Sequence, residues 1–321
     1  MTTEQKKLHL VGVGVTHSIA PAMHNSITQS LALPWTFHAT ECPTLSDLLA
    51  LARQPKTAGL VVTMPYKNSV MPHLDELDEL ATTIGACNNI YYKTEETKGP
   101  EPGQESQARR LCGTNTDWRG IKGCLLEKGD DESSRPRPSP DSPGTALIVG
   151  AGGASRAAVY AISQHLHCST IYILNRDRDE VQALIRDAGR LPSTPEIIHI
   201  ETLDAALSIP EALRPYYIVG TVPDLEPRTD AEKTVAAVLE WFLSQPQRGV
   251  LLDMCFKPRR TRMIRLAEAR GWPAVEGTHV IGYQIEEQWR LWAGEERVGK
   301  LDRDGAWRVL LRAAEESTAI N

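Results

Sequence analysis

Short apolar runs alternate along this chain with amphipathic stretches of helical period, a pattern that predicts parallel strands joined by crossover helices. Residues 9–15 form an apolar segment ending in glycines and read as a first strand, followed by the polar loop Thr16-His17-Ser18. Pro21 can open a helix, residues 22–33 carry helical spacing, and Pro34 stops them before a strand at 36–39. A second helix at 45–53 leads to 59–64, whose unbroken apolar character fits a central strand buried on both faces. A helix at 75–84 and a turn with a strand at 85–92 follow. Residues 93–110 are rich in Glu, Gly, Pro and Gln with little to bury, so an exposed and mobile loop is expected there. Order resumes at 111–117, and 118–128 reads as a helix.

Residues 129–144, rich in Pro, Ser and Asp, mark the expected domain boundary. Strand and helix then alternate again through 146–149, 170–174, 181–188, 197–200, 203–206 and 216–219, which predicts a doubly wound sheet. A late strand at 250–254 carries Asp253 near its end, and Gly271 stops a helix at 261–270. Helices at 283–292 and 304–316 are expected to pack back on the first domain. The expected fold class is α/β. It comprises an N-terminal α/β domain, residues 1–128 with 277–321 returning to it, and a Rossmann-like doubly wound dinucleotide-binding domain, 129–276.

At 321 residues the chain is too long for one comfortable core, which agrees with two domains. A net charge of −6 and a pI near 5.9 argue against nucleic acid or an anionic membrane as partner. No apolar run is long enough to span a bilayer, and the start MTTEQKK resembles no leader, so a cytoplasmic location is expected. Cys42, Cys87, Cys112, Cys124, Cys168 and Cys255 are scattered without metal-ligand spacing and read as reduced fillers, so no metal is expected.

The chemistry centres on VGAGGASRAAVYA at 149–161, a glycine turn between the strand at 146–149 and an alanine-rich helix. Gly150, Gly152 and Gly153 remove side chains where the backbone turns tightly, so amide N–H groups and the helix dipole can meet a pyrophosphate. About 20 residues on, Asn175-Arg176-Asp177 ends the next strand, a spacing that suits an adenine ribose. Such a turn alone also occurs in α/β proteins that bind nothing. In the first domain Ser18, Lys67, Asn88 and Asp117 all follow expected strands, where ligands of open α/β sheets lie. A lysine and an aspartate suit oxidation of a secondary alcohol, which must lose its hydroxyl proton as hydride leaves carbon. On residue type alone, Lys67 reads equally as a surface lysine and Asp117 as a helix N-cap.

The order of motifs decides between these. The segment GVGVTHSIAPAMHN at 12–25 resembles the G-x-P-x-x-H-S-x-S-P-x-x-H-N opening of the shikimate and quinate dehydrogenase family. GLVVTMPYK at 59–67, IGACNN at 84–89, GTNTDWRG at 113–120 and GAGGASRA at 150–157 follow in the family's order, with GTVP at 220–223 and EGTHVIGYQ at 276–284 as weaker matches. The resemblance implies an N-terminal substrate domain and an NAD(P)-dependent oxidation of a cyclic polyhydroxy carboxylate. It makes Lys67 the catalytic lysine and Asp117 its partner. Ser18 then binds a carboxylate, and Thr63, Asn88 and Gln284 contact ring hydroxyls and carboxylate. Gly150, Gly152, Gly153, Ala154 and Ser155 match the pyrophosphate turn, and Asn175, Arg176 and Asp177 the adenosine ribose.

Departures shape the finer expectations. Ala20 stands where the family usually has a second carboxylate-binding serine, and Val61 where shikimate-specific members have asparagine. Phe256 replaces a tyrosine, and His279 and Val280 replace glycine and methionine. Ala20 leaves room for the extra hydroxyl of quinate, so oxidation of quinate to 3-dehydroquinate is expected. Shikimate is the alternative, and a catalytically silent pathway sensor a more distant one. Asp177 stands where NADP-using relatives carry a hydroxyl residue, so NAD is the expected cofactor and NADP the alternative. The oligomeric state is not set by the sequence.

Overall fold

Two sheets organise the chain in a computed structural model that describes residues 4–98, 105–128 and 136–321. The first unit spans Met1–Thr116 and Gln284–Glu316, and the second Asp117–Tyr283 and Ser317–Asn321.

In the first unit the expected strand-helix alternation gives β1 (Lys6–Gly12), α1 (Ala20–Ser30), β2 (Trp35–Glu41), α2 (Leu45–Ala52) and β3 (Thr57–Val62). A short strand β4 (Glu76–Leu77), α3 (Glu79–Ile84), β5 (Asn89–Lys98) and β6 (Glu105–Thr114) follow. The sheet runs β2-β1-β3-β5-β6-β4. β1 pairs in parallel with β2 and β3, while β5 is antiparallel to both β3 and β6. The apolar run predicted as central is central: Leu60 and Val62 are fully buried. With Val11, Leu48, Ile90 and Tyr66 they form one core. Each such aliphatic side chain contributes about 1.5–3 kcal/mol on burial.

The mobile loop expected at 93–110 is not what the described residues form. β5 and β6 continue as an antiparallel ladder from Asn89↔Thr114 out to Lys98↔Glu105, and 99–104 lie outside the described residues. The pairing uses backbone groups, which need no apolar sequence. At its base the Arg109 guanidinium lies 3.3 Å from the Tyr92 ring centroid and donates to the carbonyls of Gln54, Pro55 and Thr57.

The second unit opens with α4 (Asp117–Glu127), then β7 (Gly144–Val149), α5 (Gly153–His165), β8 (Cys168–Leu174), α6 (Arg178–Ala188), β9 (Glu196–His199) and α7 (Leu203–Leu207). β10 (Tyr217–Gly220), α8 (Asp230–Leu243), β11 (Val250–Asp253), α9 (Arg262–Ala269), β12 (Ala274–Glu276) and α10 (Thr278–Gly282) complete it. All six strands are parallel in the order β12-β11-β10-β7-β8-β9, the doubly wound dinucleotide-fold order. Strand order reverses between β7 and β10, which is where the glycine turn leaves the sheet. No element is expected at 220–249, yet α8 is capped there by a Thr229–Glu232 capping box and buries Val238, Leu239, Phe242 and Leu243.

The division differs from the expected one: α4 and 277–283 belong to the second unit. Trp118 of α4 stacks on His165 at 4.4 Å, and the Tyr283 ring occupies the space a Cβ on Gly123 would need. Much of the polar stretch at 129–144 lies outside the described residues.

The C-terminal helices α11 (Ile285–Ala293), α12 (Glu295–Val298) and α13 (Arg303–Glu316) return to the first unit. Trp289 is fully buried and its indole N–H donates to His24 Nδ1 at 3.1 Å. His24 in turn stacks on Phe37 at 4.1 Å. Trp292 lies where Gly59 has no side chain, and donates to Asn89 Oδ1 at 3.0 Å.

Candidate active site and cofactor turn

The first unit presents its polar residues beyond the carboxyl ends of β1 and β3. After β3 the chain turns through Thr63-Met64-Pro65-Tyr66-Lys67, held where Thr63 N–H donates to the Val11 carbonyl at 2.9 Å. Tyr66 is buried and its hydroxyl donates to the Cys42 carbonyl at 2.8 Å. Lys67, half-buried, is fixed through its carbonyl, which accepts from Cys87 N–H at 2.8 Å. The loop after β1 lies alongside, with Val13 N–H donating to the Met64 carbonyl at 3.1 Å. The Glu41 carboxylate clamps that loop through Gly14 and Val15 N–H. Farther along it the Ser18 Oγ accepts from Ala20 N–H at 3.2 Å, which leaves the hydroxyl proton to donate elsewhere.

Asn88 is the hub of a buried network. Its Oδ1 accepts from Thr116 N–H at 2.6 Å, and its amide donates to Gln284 Oε1 at 2.8 Å and Thr116 Oγ1 at 3.1 Å. Thr116 Oγ1 has one proton, and its 2.6 Å approach to Gln284 Oε1 makes that its donation. Gln288 closes the set, its amide 3.3 Å from both Thr116 Oγ1 and Gln284 Oε1. Asn88, Thr116, Gln284 and Gln288 are all buried. Of the expected contact residues the structure therefore joins Asn88 to Gln284 directly. Thr63 and Ser18 sit instead on the two neighbouring loops. Thr116 and Gln288 were missed by sequence reasoning, although Gln288 lies one helical turn from Gln284 on the same face. Asp117, buried, begins α4 directly after Thr116. Within the first unit the Lys67 carbonyl is thus tied to Cys87, and Cys87's neighbour Asn88 to Thr116.

In the second unit the glycine turn needs its glycines. Gly150 has φ +117°, and a Cβ there would strike Thr221 Oγ1 and Val222. At Gly152 a Cβ would meet nothing within 4 Å, so the backbone ahead of α5 is open to close approach. Ser155, fully buried, donates to Thr221 Oγ1 at 2.8 Å, whose own proton goes to the Val149 carbonyl at 2.8 Å. Ser155 therefore braces the turn from beneath, while Gly153 and Ala154 form the first residues of α5. Arg156 tethers the turn through the Ala151 and Gly152 carbonyls and pairs with Asp187 at 2.6 Å.

At the end of β8, Asp177 caps α6, accepting from the N–H groups of Asp179 at 2.9 Å and Glu180 at 3.1 Å through one oxygen. Asn175 donates to Glu180 at 2.9 Å. Both neighbouring cations are engaged: Arg176 with Glu232, and Arg178 with Glu201 at 2.7 and 3.0 Å. A cavity of about 480 Å³ opens beyond the carboxyl ends of β7, β8, β10 and β11, and Asn175, Arg176, Asp177 and Asp253 line it. Burial pushes the Asp253 carboxyl up to about 6, against bonds from Thr261 Oγ1 at 2.7 Å and Cys255 N–H at 3.1 Å. Of the departures, His279 pairs with Glu127 at 3.0 Å, and the Tyr283 hydroxyl donates to the same carboxylate. Burial raises the Glu127 carboxyl, but those bonds outweigh it and hold the group below its ordinary value.

An all-parallel doubly wound sheet with an open glycine turn at its switch point is the Rossmann-type dinucleotide fold. The family model for the shikimate dehydrogenase substrate binding domain matches residues 10–90. The chain is 32% identical over 308 residues to the quinate dehydrogenase of Emericella nidulans, covering 91% of this chain and 89% of that protein. It belongs to the shikimate and quinate dehydrogenase family. Among solved structures, shikimate 5-dehydrogenase from Thermus thermophilus in complex with NADP(H) and shikimate is 26% identical with a TM-score of 0.67, covering 96% of this chain and 99% of that one. Quinate dehydrogenase from Corynebacterium glutamicum in complex with NAD shares the fold at a TM-score of 0.69 and 22% identity, over 96% and 100% of the two chains. Among the described residues no helix is long and apolar enough to cross a membrane.

Proposed function

We propose that this enzyme oxidises quinate to 3-dehydroquinate, with NAD as its preferred cofactor and Lys67 and Asp117 as its catalytic pair. The observation that carries the reading is the buried Asn88–Thr116–Gln284 network, which ties the Lys67 turn to the residue before Asp117. Such a network fixes the polar groups of the first unit around the Lys67 turn, and positioning of this kind supplies much of the rate of an oriented reaction. Lys67 accepts the proton of the ring hydroxyl, and Asp117 orients lysine and substrate. Ser18, Thr63, Asn88 and Gln284 orient the ring and its carboxylate. When bound, the nicotinamide supplies the acceptor for the hydride that leaves the same carbon. Gly150, Gly152, Gly153 and Ala154 fit the pyrophosphate of that cofactor because the turn is bare above Gly152 and leads into the N-terminus of α5. Ser155 supports the turn, and Asn175, Arg176 and Asp177 meet the adenosine ribose.

Ala20 supports quinate over shikimate. It is buried at the first turn of α1, bonded through its N–H to Ser18, and its side chain is smaller than the serine the family usually carries there, which suits the hydroxyl that only quinate carries beside its carboxylate. The Emericella relative is named for the same substrate. A second reading, shikimate with NADP, draws on the Thermus relative, whose structure holds both. The deciding measurement is kcat/KM for quinate and shikimate, each with NAD and NADP, in the wild type and in Ala20→Ser. Quinate with NAD should lead, and the substitution should move preference toward shikimate. A wild type favouring shikimate tenfold or more overturns the substrate and leaves the dehydrogenase standing.

A further inference from the structure

We propose that Glu232 sets the dinucleotide preference of the second unit by holding Arg176 at the cavity that Asp177 lines. Glu232 acts in this way only if that cavity holds a dinucleotide, as proposed above.

Glu232 is the third residue of α8, and its Oε2 accepts from the backbone N–H groups of Arg228 and Thr229, each at 2.9 Å. Thr229 Oγ1 accepts in return from Glu232 N–H at 3.2 Å. The other oxygen, Oε1, takes Arg176 Nη1. The two backbone donors hold the Glu232 carboxyl below its usual range, so it is charged at neutral pH. Because the cap is made to backbone, the carboxylate is the fixed partner and the long Arg176 side chain comes to it. Asp177 is fixed by the same device at α6. The cavity lining holds five carboxylates, Asp177, Glu180, Asp224, Glu232 and Asp253, against two guanidinium groups, Arg176 and Arg262. Arg262 is itself bound to Asp224 at 2.9 Å. A 2′-phosphate would bring about two negative charges into this setting without a released arginine to receive it. A 2′-hydroxyl brings none and can donate to a carboxylate.

Glu232→Gln isolates the charge, because glutamine also serves at the third position of a capping box. Titration calorimetry of the full chain with NAD⁺ and with NADP⁺ reads the effect without turnover. The Kd ratio should shift toward NADP⁺ by about tenfold, the scale of one close charge pair. The gain should vanish in Glu232→Gln/Arg176→Ala, since the freed arginine supplies it. A shift below about twofold, or a gain that survives the double substitution, overturns the proposal. Arg176→Ala alone tests it independently of the cap. If the arginine already served a 2′-phosphate in the wild type, NADP⁺ affinity would drop tenfold or more, and Glu232 would not be holding it. A wild type that binds neither nucleotide overturns the dinucleotide reading and this proposal together. A wild type that binds NAD⁺ with a ratio unmoved in Glu232→Gln overturns only the role of Glu232.

Discussion

The two units build their polar sites from opposite materials. In the first, Asn88, Thr116, Gln284 and Gln288 are neutral, buried and bonded to one another. In the second, charged side chains line an open cavity and are pinned at helix starts, Asp177 on α6 and Glu232 on α8. Neutral groups that satisfy each other inside a core fix distances, and a low local dielectric makes any one of them costly to remove. Charges held by backbone N–H groups decide instead the sign of what may enter, at modest cost to stability. Under the proposed function, positioning belongs to the first unit and discrimination to the second.

The largest effect should come from Lys67 of the first unit, the proposed acid/base group. Lys67→Ala should lower kcat by roughly a hundredfold or more with a smaller change in KM, because proton transfer is made in the transition state. Near-normal turnover in a folded Lys67→Ala protein would remove the lysine from the acid/base role. Next, Asn88→Ala should strand polar groups of Thr116 and Gln284, at about 1–3 kcal/mol each. Urea denaturation should register that loss, and kcat/KM should fall by about tenfold as the groups proposed to orient the ring lose their register. Wild-type stability and turnover in Asn88→Ala would show the network to be passive, and the contrast between the units would fall.

The smallest effect separates the units by acidity. Burial lowers His24 to about 3, and burial with the nearby His38 and Lys7 charges lowers His9 to about 4, both in the first unit. Between pH 6.5 and these values the unfolded chain binds the proton and the folded one does not, so the first unit loses stability as pH falls through that window. For His24 the slope is about 1.4 kcal/mol per pH unit. Asp253 in the second unit runs the other way. Its folded value near 6 exceeds the ordinary 3.8, so its burial is least costly below 3.8 and stability is lost as pH rises from there to about 6. Hydrogen exchange at pH 7 and pH 5 should show protection falling in β1, β2 and α1 while β11 holds or gains. Equal loss in both units would contradict the assignment.

Much of this was legible in the chain. Central strands announced themselves as unbroken apolar runs at 59–64 and 146–149, and the glycines of 150–153 fixed where the second sheet reverses. What was not legible had no apolar signal. β5 and β6 extend through Glu, Thr and Gln because a ladder pairs backbone with backbone, so composition alone read them as a loop. α8 carried a Thr-x-x-Glu start and an apolar face at Val238, Leu239 and Phe242 that went unassigned. The place of α4 turned on Trp118 meeting His165 and on Gly123 making way for Tyr283, contacts between residues far apart in sequence. Within the site, residue types could nominate Asn88 and Gln284. Only the fold could show that Thr116 and Gln288 complete them.

The return of the C-terminal helices has a consequence for how the protein is made. Gln284, Trp289 and Trp292 reach the ribosome exit after the whole of β1 to β12, yet the first sheet closes only on them. At the usual speed of translation, roughly 5–20 residues per second, the early strands wait on the order of ten to sixty seconds for those partners. The unit begun first is completed late, and through that interval the face of β3 that receives Trp292 stands uncovered.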